Sequence, residues 1–338
     1  MCRKILPLLL CAVLSCSLWL NACAENKSRN EPSEQANVQI FRLADNQPEG
    51  YPTVIGNLKF AELVKERTNG EIIIEVFPNA QLGDEISVFE LVRFGAVDFI
   101  RVNSNTVATL IPSVNVLSLP YLYRDKGHMF NVLDGPIGNR FFESMQDLNL
   151  IGLCWYDSGA RSFYNVKKEI TCPADMKNLR IRVQDTKMMM DLIRYLGGVP
   201  VPGVLSEVYS AIQAGIIDGA ENNFPSFVSA SHSKITNFYT IDEHTRSPEM
   251  ILVNKMVFDS LTDQQQQIIR ESALEAAMVQ RVEWTRQETD YERQAIEEGV
   301  KITRLAPEQR QAFVDAVALV YDDYKEYEDI VQQIRDTN

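Results

Sequence analysis

From residue 38 onward the apolar positions follow two rhythms in turn. Residues 38–44 read as a strand that empties into the polar lip Asp45-Asn46-Gln47. Val54, Leu58, Ala61 and Val64 then recur at helical spacing, with Gly70 as a natural stop. The unbroken apolar run 72–77 is that of a strand covered on both faces. Asp84 is placed to cap a helix with Val88, Phe89, Leu91 and Val92 inward, and 97–102 is the next strand, leading to Arg101, Asn103 and Ser104. Residues 113–121 (SVNVLSLPY) read as a further apolar strand closed by Pro120. Residues 126–133 and 137–148 read as helices, and 150–156 as a strand. The alternation predicts parallel sheets with helices on both sides.

The turn Asp157-Ser158-Gly159 reads as a first crossing into a second lobe, and 249–253 as a strand returning to the first. Between the crossings, each predicted element ends or begins on a charged or amide residue. Arg161 opens the strand 162–166, and Arg180 and Arg182 alternate with Leu179, Ile181 and Val183. Ser206 precedes an amphipathic run (Val208, Tyr209, Ile212) that Gly215 can end. Residues 216–220 then form a short buried strand emptying into Glu221, Asn222 and Asn223. Ligands of α/β proteins collect where strand ends meet helix starts. Guanidinium forks there match carboxylates and amides match hydroxyls. One arginine alone would read as a solvated strand end; the set points to a site for an anion bearing hydroxyls. Arg101 lies in a strand otherwise apolar at Phe99, Ile100 and Val102, and shares parity with Asn103. A charge there is costly unless paired, so Arg101 either meets a carboxylate such as Glu85 or Asp98 or faces the cleft.

One helix is longer than a lobe. Thr262-Asp263-Gln264-Gln265 fits a capping box, and neither Pro nor Gly interrupts the chain before Gly299. At ~1.5 Å per residue this span is on the order of 50 Å, whereas a lobe of ~140 residues measures about 35–40 Å across. The helix is therefore expected to bridge both lobes. Arg270, Glu271, Gln280, Arg281 and Glu288 leave no sustained apolar seam for a coiled coil. From Pro307 to Ile334 the tail reads as an amphipathic helix packed on the outside.

Charge and cysteines locate the chain. Arg3 and Lys4 followed by the apolar stretch 5–20 form an export signal over residues 1–22. The run is shorter than the ~20 apolar residues needed to span a bilayer. Leu20-Asn21-Ala22-Cys23 resembles a lipobox, which makes Cys23 the lipidated first residue of an extracytoplasmic protein; 23–37 is a polar tether. With 33 basic against 46 acidic residues, the chain argues against nucleic acid or anionic lipid as partners. Beyond the signal and Cys23 only Cys154 and Cys172 remain, two thiols that either pair in an oxidising compartment or stay buried and free. No CxxC, HExxH, GxSxG or phosphate-binding loop occurs, and His128, His232 and His244 are scattered, so no cofactor, metal or catalytic residue is called for.

The motifs GARSFYN, DMKNLRIRV and SEVYSAIQAGIIDGAENN, with FPNAQLGDE and LSLPYLYRD upstream, resemble the DctP family, the solute-binding proteins of TRAP transporters. The resemblance runs from about Val38 to the C-terminus in the same order. It implies a two-lobed α/β fold like type II periplasmic binding proteins, with a long helix under both lobes. Lobe I would comprise 38–158 plus 248–287, and lobe II 159–247 plus 288–338. It carries over Arg182 as the partner of the ligand carboxylate, with Arg161 and Asn222 beside it and Glu221 at the same strand end. Asn46, Glu85 and Asn103 are implied on lobe I. Two departures stand out: Leu205 replaces an aromatic common just before the Ser-Glu-Val-Tyr motif, and Arg101 adds a cation suited to another anionic or hydroxyl-rich end. DNQPEGYP and AENNFPSF resemble members that take glucuronate or galacturonate; C4-dicarboxylates, sialic acid and keto acids are the alternatives. The implied partners are a small-molecule carboxylate and the small and large membrane subunits, with the binding protein a lipid-anchored monomer. The rivals are an extracytoplasmic sugar-acid enzyme, which would need a base and turnover, and a binding protein serving an ABC transporter or a sensor.

Overall fold

Buried β-branched and aromatic runs set the strands. The computed structural model describes residues 38–338; the signal segment and the whole tether, Cys23 included, lie outside them. Eleven strands occur among the described residues: β1 (Gln39–Ala44), β2 (Ile72–Phe77), β3 (Phe99–Asn103), β4 (Leu150–Tyr156), β5 (Arg161–Asn165), β6 (Arg180–Val183), β7 (Val199–Pro202), β8 (Gly219–Asn222), β9 (Phe238–Thr245), β10 (Glu249–Asn254) and β11 (Lys301–Arg304). They form two sheets, ordered β2-β1-β3-β10-β4 and β11-β9-β5-β8-β6-β7. The chain crosses from the first to the second between β4 and β5, and back between β9 and β10.

Neither sheet is purely parallel, contrary to the expectation from strand–helix alternation. β10 runs antiparallel to β3 and β4, and β5 antiparallel to β8 and β9. The reason is the crossing itself. A strand reached through a helix runs toward the cleft like its neighbour, whereas a strand arriving from the other sheet starts at the cleft and runs away from it. Arg161 and Glu249, the first residues of the two crossing strands, therefore sit at the cleft.

The long helix, Asp263–Glu297, begins on the expected capping box, with Gln265 N–H donating to Thr262 and Thr262 N–H to Gln265. Such a cap is worth about 1 kcal/mol. Its inward positions feed three cores in sequence: Ile269, Ala273 and Ala276 pack under the first sheet, Trp284 meets Tyr51 and Val54, and Ala295 joins the core of the second sheet. Gly56 on helix Pro52–Arg67 permits a close approach of the long helix, since a Cβ there would lie 2.8 Å from the Gln280 Cβ. Gln280 also pins the crossing: its amide accepts from Asp157 N–H and donates to Asp157 C=O, both at 2.8 Å. Gly159, at φ +62°, turns there because a Cβ would fall 2.6 Å from Glu288.

Two other readings are corrected. Residues 113–121 contain no strand; Pro112–Ser118 is a 3₁₀ turn with Val114, Val116 and Leu117 buried. A short apolar run buried on all sides looks alike in either conformation. The tail is three pieces, helix Pro307–Ala316, a kinked 3₁₀ segment Ala318–Tyr327 and helix Glu328–Asp336. It touches both halves: Asp323 pairs with Lys187, and the Ile334 carbonyl bonds His128 Nε2 at 2.8 Å. Cys154 lies buried in β4, its thiol pushed up to about 12 by burial, and both it and Cys172 are free.

Candidate ligand-binding site

A cavity of about 400 Å³ lies between the sheets, within the usual range for small-molecule pockets. Its walls are strand ends. Arg101 and Asn103 of β3, Asn46 beyond β1 and Glu85 at the start of helix Glu85–Arg93 line one side, and Arg161, Arg182 and Asn222 of the second sheet the other. Glu221 does not line it but stands behind Arg161. Leu205 is in the wall, where it offers apolar contact without an aromatic face.

Arg182 is the third residue of β6, buried at 6% exposure. Its Nε donates to the Gly203 carbonyl at 2.7 Å and a terminal nitrogen to the same oxygen at 2.5 Å. Among the described residues it forms no ion pair with a carboxylate. Burial, with the like charge of Arg161 adding, lowers its pKa against the pull of Glu221. Arg180 shares its strand parity but lies at the far end, half exposed and held in a two-pronged pair with Asp218 at 2.8 and 3.0 Å.

Arg161 is held differently. It grips Glu221 with two nitrogens at 2.5 and 2.8 Å, and its remaining terminal nitrogen donates to Asn222 Oδ1 at 3.0 Å, fixing that amide toward the cleft. Behind it, His244 bridges Glu221 at 3.4 Å and Asp242 at 3.0 Å. Burial opposes charge on Glu221, yet Arg161 and His244 together hold its carboxyl down to about 2.

On the opposite wall Arg101, 1% exposed, sits among three carboxylates: Asp45 at 2.5 Å, Glu85 at 2.9 Å and Glu249 at 3.3 Å. It also donates to Asn46 Oδ1. A structural carboxylate and the cleft are not alternatives for Arg101, which lines the cavity while paired with Glu85. Asp98 instead pairs with Arg42. Arg101 is therefore no surplus cation, because the acids about it outnumber it. Sequence reasoning missed Asp45 and Glu249, whose only signals were a strand-end position and a crossing-strand start.

Polar contacts cross between the walls. Asn105 donates to Gln184 Oε1 at 2.7 Å, Gln184 donates to Asn103 at 3.3 Å, and Tyr51 OH lies 2.8 Å from Ser226 Oγ. Among the described residues no helix is long and apolar enough to cross a membrane, and no group of His, Cys, Asp and Glu is placed to hold a metal.

A two-lobed α/β fold with an anion-adapted cleft, spanned by one long helix, defines an extracytoplasmic binding protein. The chain belongs to family 7 of the bacterial extracellular solute-binding proteins, the DctP family, whose model matches residues 43–327; its members serve TRAP transporters. A solute-binding protein of Chromohalobacter salexigens is 35% identical over 308 residues, 90% of this chain and 91% of the relative. The 2,3-diketo-L-gulonate-binding periplasmic protein of Escherichia coli is 33% identical over 66% of this chain and 68% of its own length. A TRAP periplasmic solute-binding protein of Roseobacter denitrificans with bound β-D-glucuronate superposes with a TM-score of 0.86 at 35% identity, covering 89% of this chain and 100% of that one. One from Xanthobacter autotrophicus with bound β-D-galacturonate gives 0.84 at 38% identity, covering 88% and 100%.

Proposed function

We propose that the protein captures a hexuronate such as glucuronate or galacturonate and delivers it to the membrane subunits of a TRAP transporter. The observation that carries this reading is Arg182, a buried guanidinium in the cavity wall that has only a carbonyl for a partner. A ligand carboxylate meets it in the two-pronged geometry that makes such pairs strong. Asn222, oriented by Arg161, and Glu85 and Asn46 of the opposite wall meet the hydroxyls at the other end. Structural relatives that carry uronates support the ligand class. Closure follows from differential contact: only the closed form engages both walls, so the ligand shifts the population toward it.

Within this reading the halves that move are 38–158 with 248–287 and 159–247 with 288–338, the tail from Ala318 touching both. Export and lipid anchoring through Cys23, on residues outside those described, and a monomeric state complete the proposal. Thermal unfolding with a panel of acids tests it. At ~100-fold excess over Kd a ligand adds roughly 2.7 kcal/mol, so glucuronate or galacturonate should raise Tm by several degrees, with the sugar recovered unchanged after hours. Product formation would establish an enzyme. A Tm shift with succinate but none with uronates would move the ligand to dicarboxylates.

A further inference from the structure

We propose that Glu249 is a specificity-determining residue: its free carboxylate oxygen accepts a hydroxyl of the ligand and turns away a second carboxylate. The inference rests on the uronate reading above and extends it to the end of the ligand remote from Arg182. Glu249 opens β10, so the chain crossing delivers it directly to the cleft. It lines the cavity and is 5% exposed. One oxygen faces Arg101 at 3.3 Å and Asn103 Nδ2 at 3.5 Å, but Oε2 is buried without any hydrogen-bond partner. A buried acceptor left open in this way is costly. A hydroxyl donor removes that cost, and a second anion increases it.

The groups around Glu249 sharpen the point. Arg101 from β3 attracts it, but Asp45 beyond β1 and Glu85 from helix Glu85–Arg93 share that one guanidinium, and Tyr51, Arg161 and Tyr156, the last opposite Glu249 on β4, are the other charged or titratable groups about it. Burial, against the pull of Arg101 and with Glu85 and Asp45 adding, raises the Glu249 carboxyl to about 7. The cleft is thus polar along its length, cationic at Arg182 and anionic at Glu249. A ligand with one carboxylate and many hydroxyls fits this polarity, whereas a dicarboxylate puts like charges together, a juxtaposition that separates wrong partners effectively.

Calorimetric titration of wild type, Glu249→Gln and Glu249→Asp with D-glucuronate, D-galacturonate and D-glucarate tests this, D-glucarate carrying a second carboxylate on the same six carbons. Wild type should prefer the uronates over D-glucarate by roughly 100-fold or more at pH 8. Glu249→Gln should narrow that ratio at least ~10-fold, by weakening uronate and admitting D-glucarate. Glu249→Asp keeps the charge but withdraws it by a methylene, so uronate should weaken while the exclusion of D-glucarate persists. Without any substitution, the wild-type ratio should fall between pH 8 and 5.5 as Glu249 takes a proton, and the Gln variant should be flat across that range. If wild type binds uronates while its ratio matches that of Glu249→Gln within twofold and does not respond to pH, the role of Glu249 fails and the uronate reading stands. A wild type that takes no uronate, or prefers D-glucarate, defeats both.

Discussion

Arg101 and Arg182 hold matching positions in the two sheets. Each is buried near the C-terminal end of a strand and each reaches the same cavity. Their surroundings are opposite. Arg101 is enclosed by Asp45, Glu85 and Glu249, and although burial works against its charge, these acids raise its pKa well above the ordinary value. Arg182 meets only a carbonyl, and burial lowers its pKa. Location in a cleft therefore does not tell what a buried cation is for; its partners do. Arg101 organises a wall, and Arg182 is left to be completed by a ligand.

The comparison breaks most visibly through stability. Arg101→Met leaves Asp45, Glu85 and Glu249 buried together, and removing one member of a buried ionic cluster typically costs ~3–5 kcal/mol. Urea unfolding without ligand should show that loss; a change below ~1 kcal/mol would mean that the acids do not need Arg101. Arg182→Ala should do the reverse. Unliganded stability should hold or rise, while uronate binding loses ~2–5 kcal/mol, or roughly 30- to several-thousand-fold in Kd. Arg182→Lys should recover only part, since an ammonium cannot make two parallel bonds. Arg180→Ala, which removes a pair with Asp218 outside the cavity, should leave affinity nearly unchanged. Equal losses at Arg180 and Arg182 would reduce the site to general attraction.

A smaller effect concerns the network behind Arg161. Burial lowers the pKa of His244, but Asp242 and Glu221 outweigh it and raise the value to about 9. The folded state then binds this proton more tightly than the unfolded chain. The stabilisation is fully present below the ordinary histidine value of ~6.5 and is lost as pH rises through about 9, on the order of 3 kcal/mol in all. Unfolding free energies measured between pH 6.5 and 9.5 should decline more steeply in wild type than in His244→Gln; parallel curves would remove His244 from the network. Smallest of all, Gln184→Ala breaks the contacts to Asn103 and Asn105 across the cleft. It should weaken uronate by about 0.5–1.5 kcal/mol, the worth of an ordinary hydrogen bond, mainly as faster release in stopped-flow measurements.

The long helix was legible because a capping box and an unbroken stretch without Gly or Pro are local facts. So was the gathering of Arg161, Arg182 and Asn222, since strand parity and strand ends can be read from alternation. The segment 113–121 was misread because its burial comes from neighbours on every side, which no period encodes. Strand direction in β5 and β10 depends on which sheet the chain came from, and the partnership of Asp45 and Glu249 with Arg101 spans separations that spacing does not reveal.

The order of strands in the first sheet has a consequence for how the molecule is made. β10 lies between β3 and β4, yet it is encoded after five of the six strands of the second sheet. Until residue 254 emerges, β3 and β4 each present an unpaired edge, the kind of surface that recruits other chains. A growing chain of this topology cannot complete its first half early and wait for the second. An exported chain that crosses the membrane unfolded escapes the difficulty, because both halves then meet their missing pieces at once, on the far side.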